Sequence, residues 1–175
     1  MALQIGHRIS VDFDLFSEND IPKNLLDKAK NIFGRGAVDI SVNNIEELTF
    51  FVNQIKISFL KYPFPVLSGL VDFEDIKLLG TKEIAVTKAY AIGRRGTYKD
   101  YVDIYFAILD NYISLDEIIK MAEKKYKNEF NSRLFLEQLV YLDDIEDTQI
   151  IFLKKEVDKN ELKSFFEEEI KKIKI

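Results

Sequence analysis

The spacing of apolar residues changes along the chain, and this change constrains the fold more than any other feature. Apart from one helical stretch over 22–33, the first sixty residues carry apolar side chains at every second position or in short β-branched and aromatic runs. From Thr81 onward the spacing is helical. Period two marks strands and period 3.6 marks helices. Strands first and helices after predict an α+β fold, with a small mixed or antiparallel sheet packed by helices and a helical C-terminal half.

The strands are expected at 9–16, 37–42, 48–52 and 54–60. Asn53 falls where a tight hairpin turn would lie, and the prolines of "KYPFP" end the last strand. Residues 63–80 read as a loop with one short turn near 72–75. Thr81 is expected to cap a helix that Gly93 ends. Further helices follow at 98–109, 114–127 and 132–141, with Ser114 and Glu117 as a capping box. "KNELKSFFEEEIKKIKI" reads as a terminal amphipathic helix. We expect a sheet region over 1–80 and a helical region over 81–175, packed as one unit.

A chain of 175 residues is long enough to bury a core without staples. It contains no cysteine and one histidine, His7, which excludes disulfides, thiolate zinc sites and multi-histidine metal centres. Any metal must be held by oxygen, which points to Mg²⁺ or Mn²⁺. The net charge of −5 disfavours bulk nucleic-acid binding but leaves room for a local basic patch. No apolar run is long enough to span a bilayer, so a cytoplasmic protein is expected, without membrane contact.

In "HRISVDFDLF" the side chains of Asp12 and Asp14 share one face of a strand, with Cα atoms about 6.5–7 Å apart. Phe13, Leu15 and Phe16 suggest a core strand. Two readings stand: an edge strand whose polar face happens to be acidic, or a pair of ligands for a divalent cation. "TKAYAIGRRGTYKDYVDIYFAI" is the second informative stretch. The helix after Gly96 is apolar nearly all round, hence buried, yet it carries Asp100 and Asp103 one turn apart. Buried carboxylates need partners. Arg94, Arg95 and Lys99 flank the turn into this helix; they either neutralise the aspartates or bind phosphate at the helix N-terminus. Lys88 either snorkels from an apolar helix face or reaches a nucleotide phosphate.

Together "ALQIGHRISVDFDLFS", "NQIKISFLKYPFP", "KEIAVTKAYAIGRRGTYKDYVDIYFAI" and "SLDEIIKMAEKKY" resemble the AbiEii/AbiGii-type nucleotidyltransferases. These are bacterial toxin–antitoxin and abortive-infection proteins of the DNA-polymerase-beta-like superfamily. The resemblance implies metal-dependent transfer of a nucleoside monophosphate from an NTP to an RNA, such as tRNA, or to a protein, with a cognate antitoxin as partner. It implies that Asp12 and Asp14 hold Mg²⁺, that Lys88 contacts the nucleotide, and that Lys99, Asp100 and Asp103 match a supporting K-D-x-x-D helix. Arg8 matches the arginine before the aspartate strand and, like His7, is a candidate phosphate or nucleobase contact.

There are two departures. The family carries a Gly-Gly-Thr or Gly-Ser signature about a dozen residues before the aspartates, whereas this sequence starts at Met1-Ala2-Leu3; a truncated product, a mis-assigned start and a short form are all open. The strand expected to supply a third carboxylate reads Lys56-Ile57-Ser58-Phe59, with Ser58 in that place and Asp39 as a substitute. A non-catalytic interaction module that keeps the fold is therefore the alternative.

Overall fold

A computed structural model describes residues 1–173, apart from the side chain of Arg95. In chain order it contains α1 (Ala2–Ile5), β1 (Asp12–Ser17), α2 (Leu25–Phe33), β2 (Asp39–Asn43), β3 (Glu47–Val52), β4 (Ile55–Lys61), β5 (Leu70–Phe73) and β6 (Ile76–Leu79). It continues with α3 (Thr81–Arg95), α4 (Tyr98–Leu109), α5 (Leu115–Tyr126), a 3-10 turn at Lys127–Glu129, α6 (Ser132–Val140) and α7 (Lys159–Lys171). The mixed α+β class expected from the sequence is the one found. The chain divides into two compact units: Ser10–Pro65, and Met1–Ile9 together with Val66–Ile175.

In the Ser10–Pro65 unit the sheet has the order β1-β4-β3-β2. β1 runs parallel to β4, and the other neighbours are antiparallel. The β3–β4 hairpin turns at Asn53 and Gln54, whose φ values of 49° and 69° suit a type I′ turn. Between β2 and β3, Asn44 Oδ1 accepts from the N–H groups of Glu46 and Glu47. Leu48, Phe50 and Val52 of β3 pack with Ile21 and Ala29, and Leu25, Leu26, Ile57 and Phe59 close around them. This core sits on one sheet face, beneath α2.

Two expectations are corrected here. β1 is not a core strand: it pairs only with β4 at the edge of the sheet, and all six of its residues are exposed, Phe13 by 59%. Its alternation is that of a half-buried strand, but α2 covers the β3–β4 side of the face instead. Residues 63–80 are not simply a loop, since β5 and β6 form a hairpin around Glu74, which has a φ of 50°. Lys77 and Asp72 face each other across it at 3.2 Å. An acidic turn without glycine hid the hairpin from the sequence.

The second unit is helical, and α4 is its axis: Tyr98 and every residue from Asp100 to Ile108 are buried. α5, α6 and α7 start from side-chain caps in which Ser114, Asn131 and Asp158 accept from Glu117, Leu134 and Glu161 N–H groups. α3 departs from expectation at both ends. Gly80, not Thr81, is its N-cap, and the helix passes through Gly93 to Arg95. Gly96 is the C-cap, and the close approach there requires glycine: a Cβ would lie 2.9 Å from Ile92 Cα and 3.3 Å from the Tyr101 ring. The N-terminal segment belongs to this unit: Ala2 and Ile5 are buried, and Ile9 N–H donates to Ile151 O. No helix among the described residues is long and apolar enough to cross a membrane.

Candidate functional site

In the sheet unit, register decides what surrounds the aspartates. Asp12 stands in a row with Lys56 of β4 and Phe51 of β3, and Asp14 in a row with Ser58 and Thr49. Residues in one row share a face, so both carboxylates lie on the face opposite the α2 core. Among the described residues neither carboxylate has a hydrogen bond or an ion pair. Ser58 and Thr49 are buried, their hydroxyl oxygens 3.1 Å apart, and Thr49 donates to Glu47. The place directly beside Asp14 is therefore held by a serine. Asp39 shares the row of Asp12 but lies three strand spacings away, about 14 Å, and cannot share an ion with it.

In the helical unit the centre is Asp103, only 1% exposed. Arg8 grips it with both prongs, Nε to Oδ1 at 2.8 Å and a terminal nitrogen to Oδ2 at 2.9 Å. His7 Nε2 lies 2.7 Å from Oδ1, and Lys88 Nζ lies 3.4 Å from Oδ2. Lys88 also donates to Asp100 Oδ1 at 2.6 Å. The other oxygen of Asp100 accepts from the N–H and hydroxyl of Thr97 at 2.8 and 2.9 Å. The open N-terminus of α4 is thus capped by a carboxylate of its own first turn. The cluster balances two cations against two anions, with His7 packed 5.0 Å from the Phe106 ring.

Burial alone would raise the Asp103 carboxyl, but the hydrogen bonds from His7 and Arg8 and the charges of Lys88 and Arg8 outweigh it and hold the group well below the usual carboxylate range. For Lys88, burial opposes the charge, yet the attraction of Asp100 and Asp103 prevails and its pKa is raised. Lys88 is therefore a fixed ammonium. About a quarter of its side chain remains exposed, so a third N–H can reach a ligand.

The structure thus brings Arg8, Lys88, Asp100 and Asp103 together. The carboxylates are balanced by Lys88 and Arg8 rather than by Arg94 or Lys99. Arg94 turns to Glu129 instead, donating to its carbonyl at 3.2 Å. Lys99 is half-buried with no ion pair among the described residues, and the side chain of Arg95 lies outside them. The sequence reading missed Thr97 as the partner of Asp100 and His7 as a partner of Asp103. The T-x-x-D spacing of Thr97 and Asp100 could have found the first; nothing local signals the second.

The model of the family described as "Nucleotidyl transferase AbiEii toxin, Type IV TA system" matches residues 1–174. The chain belongs to the AbiEii nucleotidyltransferase toxin family. An AbiEii-type chain is accordingly 30% identical over 173 residues to the uncharacterized protein aq_aa25 of Aquifex aeolicus (strain VF5), covering 98% of this chain and 82% of that one. A crystal structure of a proposed nucleotidyltransferase from H. pylori has the same fold, with a TM-score of 0.50 and 18% identity, covering 98% of this chain and 84% of that one. JHP933 from Helicobacter pylori gives a TM-score of 0.45 at 16% identity, over 94% and 77% of the two chains. In this AbiEii chain the D-x-D strand and the lysine and K-D-x-x-D helices occupy β1, α3 and α4.

Proposed function

We propose that the protein transfers a nucleoside monophosphate from an NTP to an RNA or protein acceptor, as the toxin-like component of a two-gene system with a cognate antitoxin. The observation that carries this reading is the pair Asp12 and Asp14: two carboxylates on one face of an edge strand, exposed and, among the described residues, with no hydrogen bond or ion pair. Like charges so close repel, and a hard cation relieves that repulsion. Among the described residues no group of three or more His, Asp or Glu side chains could hold a metal. The two aspartates fit an ion that keeps several waters and takes its remaining ligands from phosphate, as Mg²⁺ does. When bound, Mg²⁺ would supply charge neutralisation on the triphosphate.

The side chains then divide the work. Asp12 and Asp14 would hold the ion through their carboxylates. Within the helical unit Lys88 presents a permanent positive charge, and Asp100 with Thr97 fixes its direction. Asp103, clamped by Arg8, supports Lys88 from below. The acceptor hydroxyl oxygen bonds to the α-phosphorus, the bond to the bridging oxygen of pyrophosphate breaks, and the hydroxyl proton passes to solvent. Arg8 serves through Asp103 rather than through a phosphate.

A second reading is favoured by Ser58. Its hydroxyl stands beside Asp14, where a third carboxylate would complete the site, and a serine can neither carry that charge nor act as a base near neutral pH. This supports an interaction module that keeps the fold without the chemistry. Calorimetry with ATP, GTP, CTP and UTP, with and without Mg²⁺, separates the two. Metal-dependent binding that Asp12→Ala abolishes is expected. No binding of any NTP by the wild type would leave the interaction module as the better account.

A further inference from the structure

The helical unit carries a second assembly, on a different face of α3 from Lys88. Tyr90 and Arg94 are four residues apart and share a face, whereas Lys88 lies roughly 200° around the helix from Tyr90. The Tyr90 ring stacks on Tyr126 with centroids 3.9 Å apart and planes inclined by 16°. The Arg94 guanidinium lies 3.7 Å over the Tyr90 centroid. Tyr126 is buried and Arg94 is 44% exposed, so the column runs from the core to the surface and ends on a guanidinium.

Glu129 fixes that end. Its carboxylate accepts from the Tyr90 hydroxyl at 2.7 Å and lies 3.5 Å from Arg94, while its carbonyl accepts from Arg94 at 3.2 Å. These contacts engage one terminal nitrogen of a guanidinium that remains 44% exposed. Beside it opens a cavity of about 170 Å³, lined by Tyr90, Gly93, Arg94, Glu129, Phe130 and Asn131, among others. At Gly93 the wall is uncrowded, since the nearest atom a Cβ would meet there is Gln138 Oε1 at 3.9 Å. Asn131 spends its oxygen on the α6 cap, which leaves its amide N–H groups to donate. The turn that carries Glu129 begins at Lys127, held at φ 51° and ψ −124°, a conformation uncommon for a residue with a side chain.

We propose that the Tyr126–Tyr90–Arg94 column and its cavity bind an unpaired base of single-stranded RNA. The cavity accepts a planar ring, the guanidinium plane and the Phe130 ring supply stacking surfaces, and Glu129 and Asn131 offer an acceptor and a donor to a base edge. Arg94 and Lys127 supply charge for the adjoining phosphates. A cation needed only to offset the α3 dipole could as well be lysine; a stacking plane requires arginine. The inference rests on the nucleotidyltransferase reading only for the role of this RNA as acceptor. Binding itself needs neither NTP nor metal.

The test is fluorescence anisotropy of the full chain with a labelled ten-nucleotide single-stranded RNA, without NTP or Mg²⁺. The same sequence as DNA, a duplex, and AMP as competitor serve as further arms. Binding of the single strand in preference to the duplex is expected. Arg94→Lys should weaken it about tenfold while keeping the charge, and circular dichroism should show the fold unchanged. Equal affinity of Arg94→Lys and wild type would overturn the stacking site, as would equal binding of the duplex or no binding by the wild type. Displacement by AMP at concentrations that match the oligonucleotide would identify the ligand as a free mononucleotide and overturn the strand assignment. Retained RNA binding in a protein that binds no NTP would sink the transfer reading and leave this site standing.

Discussion

Asp103 and Asp12 are carboxylates of opposite kinds. Asp103 is buried and carries hydrogen bonds from His7 and Arg8. Replacing it with Asn removes the charge but leaves the Arg8 guanidinium buried without its counter-ion. Breaking such a pair costs about 3–5 kcal/mol, and urea denaturation of Asp103→Asn should show a loss of that order. Its pH dependence follows from the direction of its shift. The folded-state pKa lies below the ordinary value of 3.8, so the stabilisation is complete above that value and is lost as pH falls through the folded-state range. Unfolding free energies between pH 2 and 6 should therefore fall toward acid in the wild type, and fall less in Asp103→Asn. Asp12 is exposed and has no ion pair among the described residues. Asp12→Ala should change stability by no more than about 0.5 kcal/mol while removing Mg²⁺-dependent NTP binding. The D-x-D was legible because period two puts both side chains on one face. The grip of Arg8 on Asp103 was not, because the partners stand 95 residues apart.

At the scale of elements, two glycines in one helix exchange the roles that local rules assign them. Gly93 looks like a terminator, yet α3 continues through it. Gly96 caps the helix, where the close approach to Ile92 and Tyr101 requires glycine. Gly93→Ala should be neutral or stabilising by up to about 1 kcal/mol, since alanine favours a helix interior and the site has room. Gly96→Ala forces a Cβ onto backbone and should cost about 1–3 kcal/mol. Thermal melts would separate them, at about 2–4 °C per kcal/mol for a chain of this size. The same limit governed the strands. Alternation and the Asn53 turn marked β3 and β4, because those signals are local. Whether β1 lies at the centre or the edge of the sheet depends on what covers it, which no strand carries in its own sequence. The β5–β6 hairpin escaped because its turn, Glu74 and Asp75, lacks the glycine or asparagine by which such turns are read.

For the whole molecule, the boundary between units does not follow the order of the chain. Residues 1–9 fold with the segment that begins 57 positions later, and the sheet unit is an insertion between them. This arrangement follows from three kinds of contact: Ala2 and Ile5 are buried, His7 O accepts from the N–H groups of Leu153 and Lys154, and Arg8 neutralises Asp103. A fragment of residues 66–175 would lose all three and keep Asp103 buried beside Lys88 alone. It should fail to fold cooperatively, as read by near-ultraviolet circular dichroism and the sharpness of the melt. The same fragment preceded by residues 1–9 on a short glycine–serine linker restores the Arg8 clamp and should melt cooperatively. A cooperative transition in the bare fragment would mean that the N-terminal segment only decorates the helices. In that event the Arg8–Asp103 pair would contribute little to holding Lys88, and the electrostatic role given to that lysine would have to rest on Asp100.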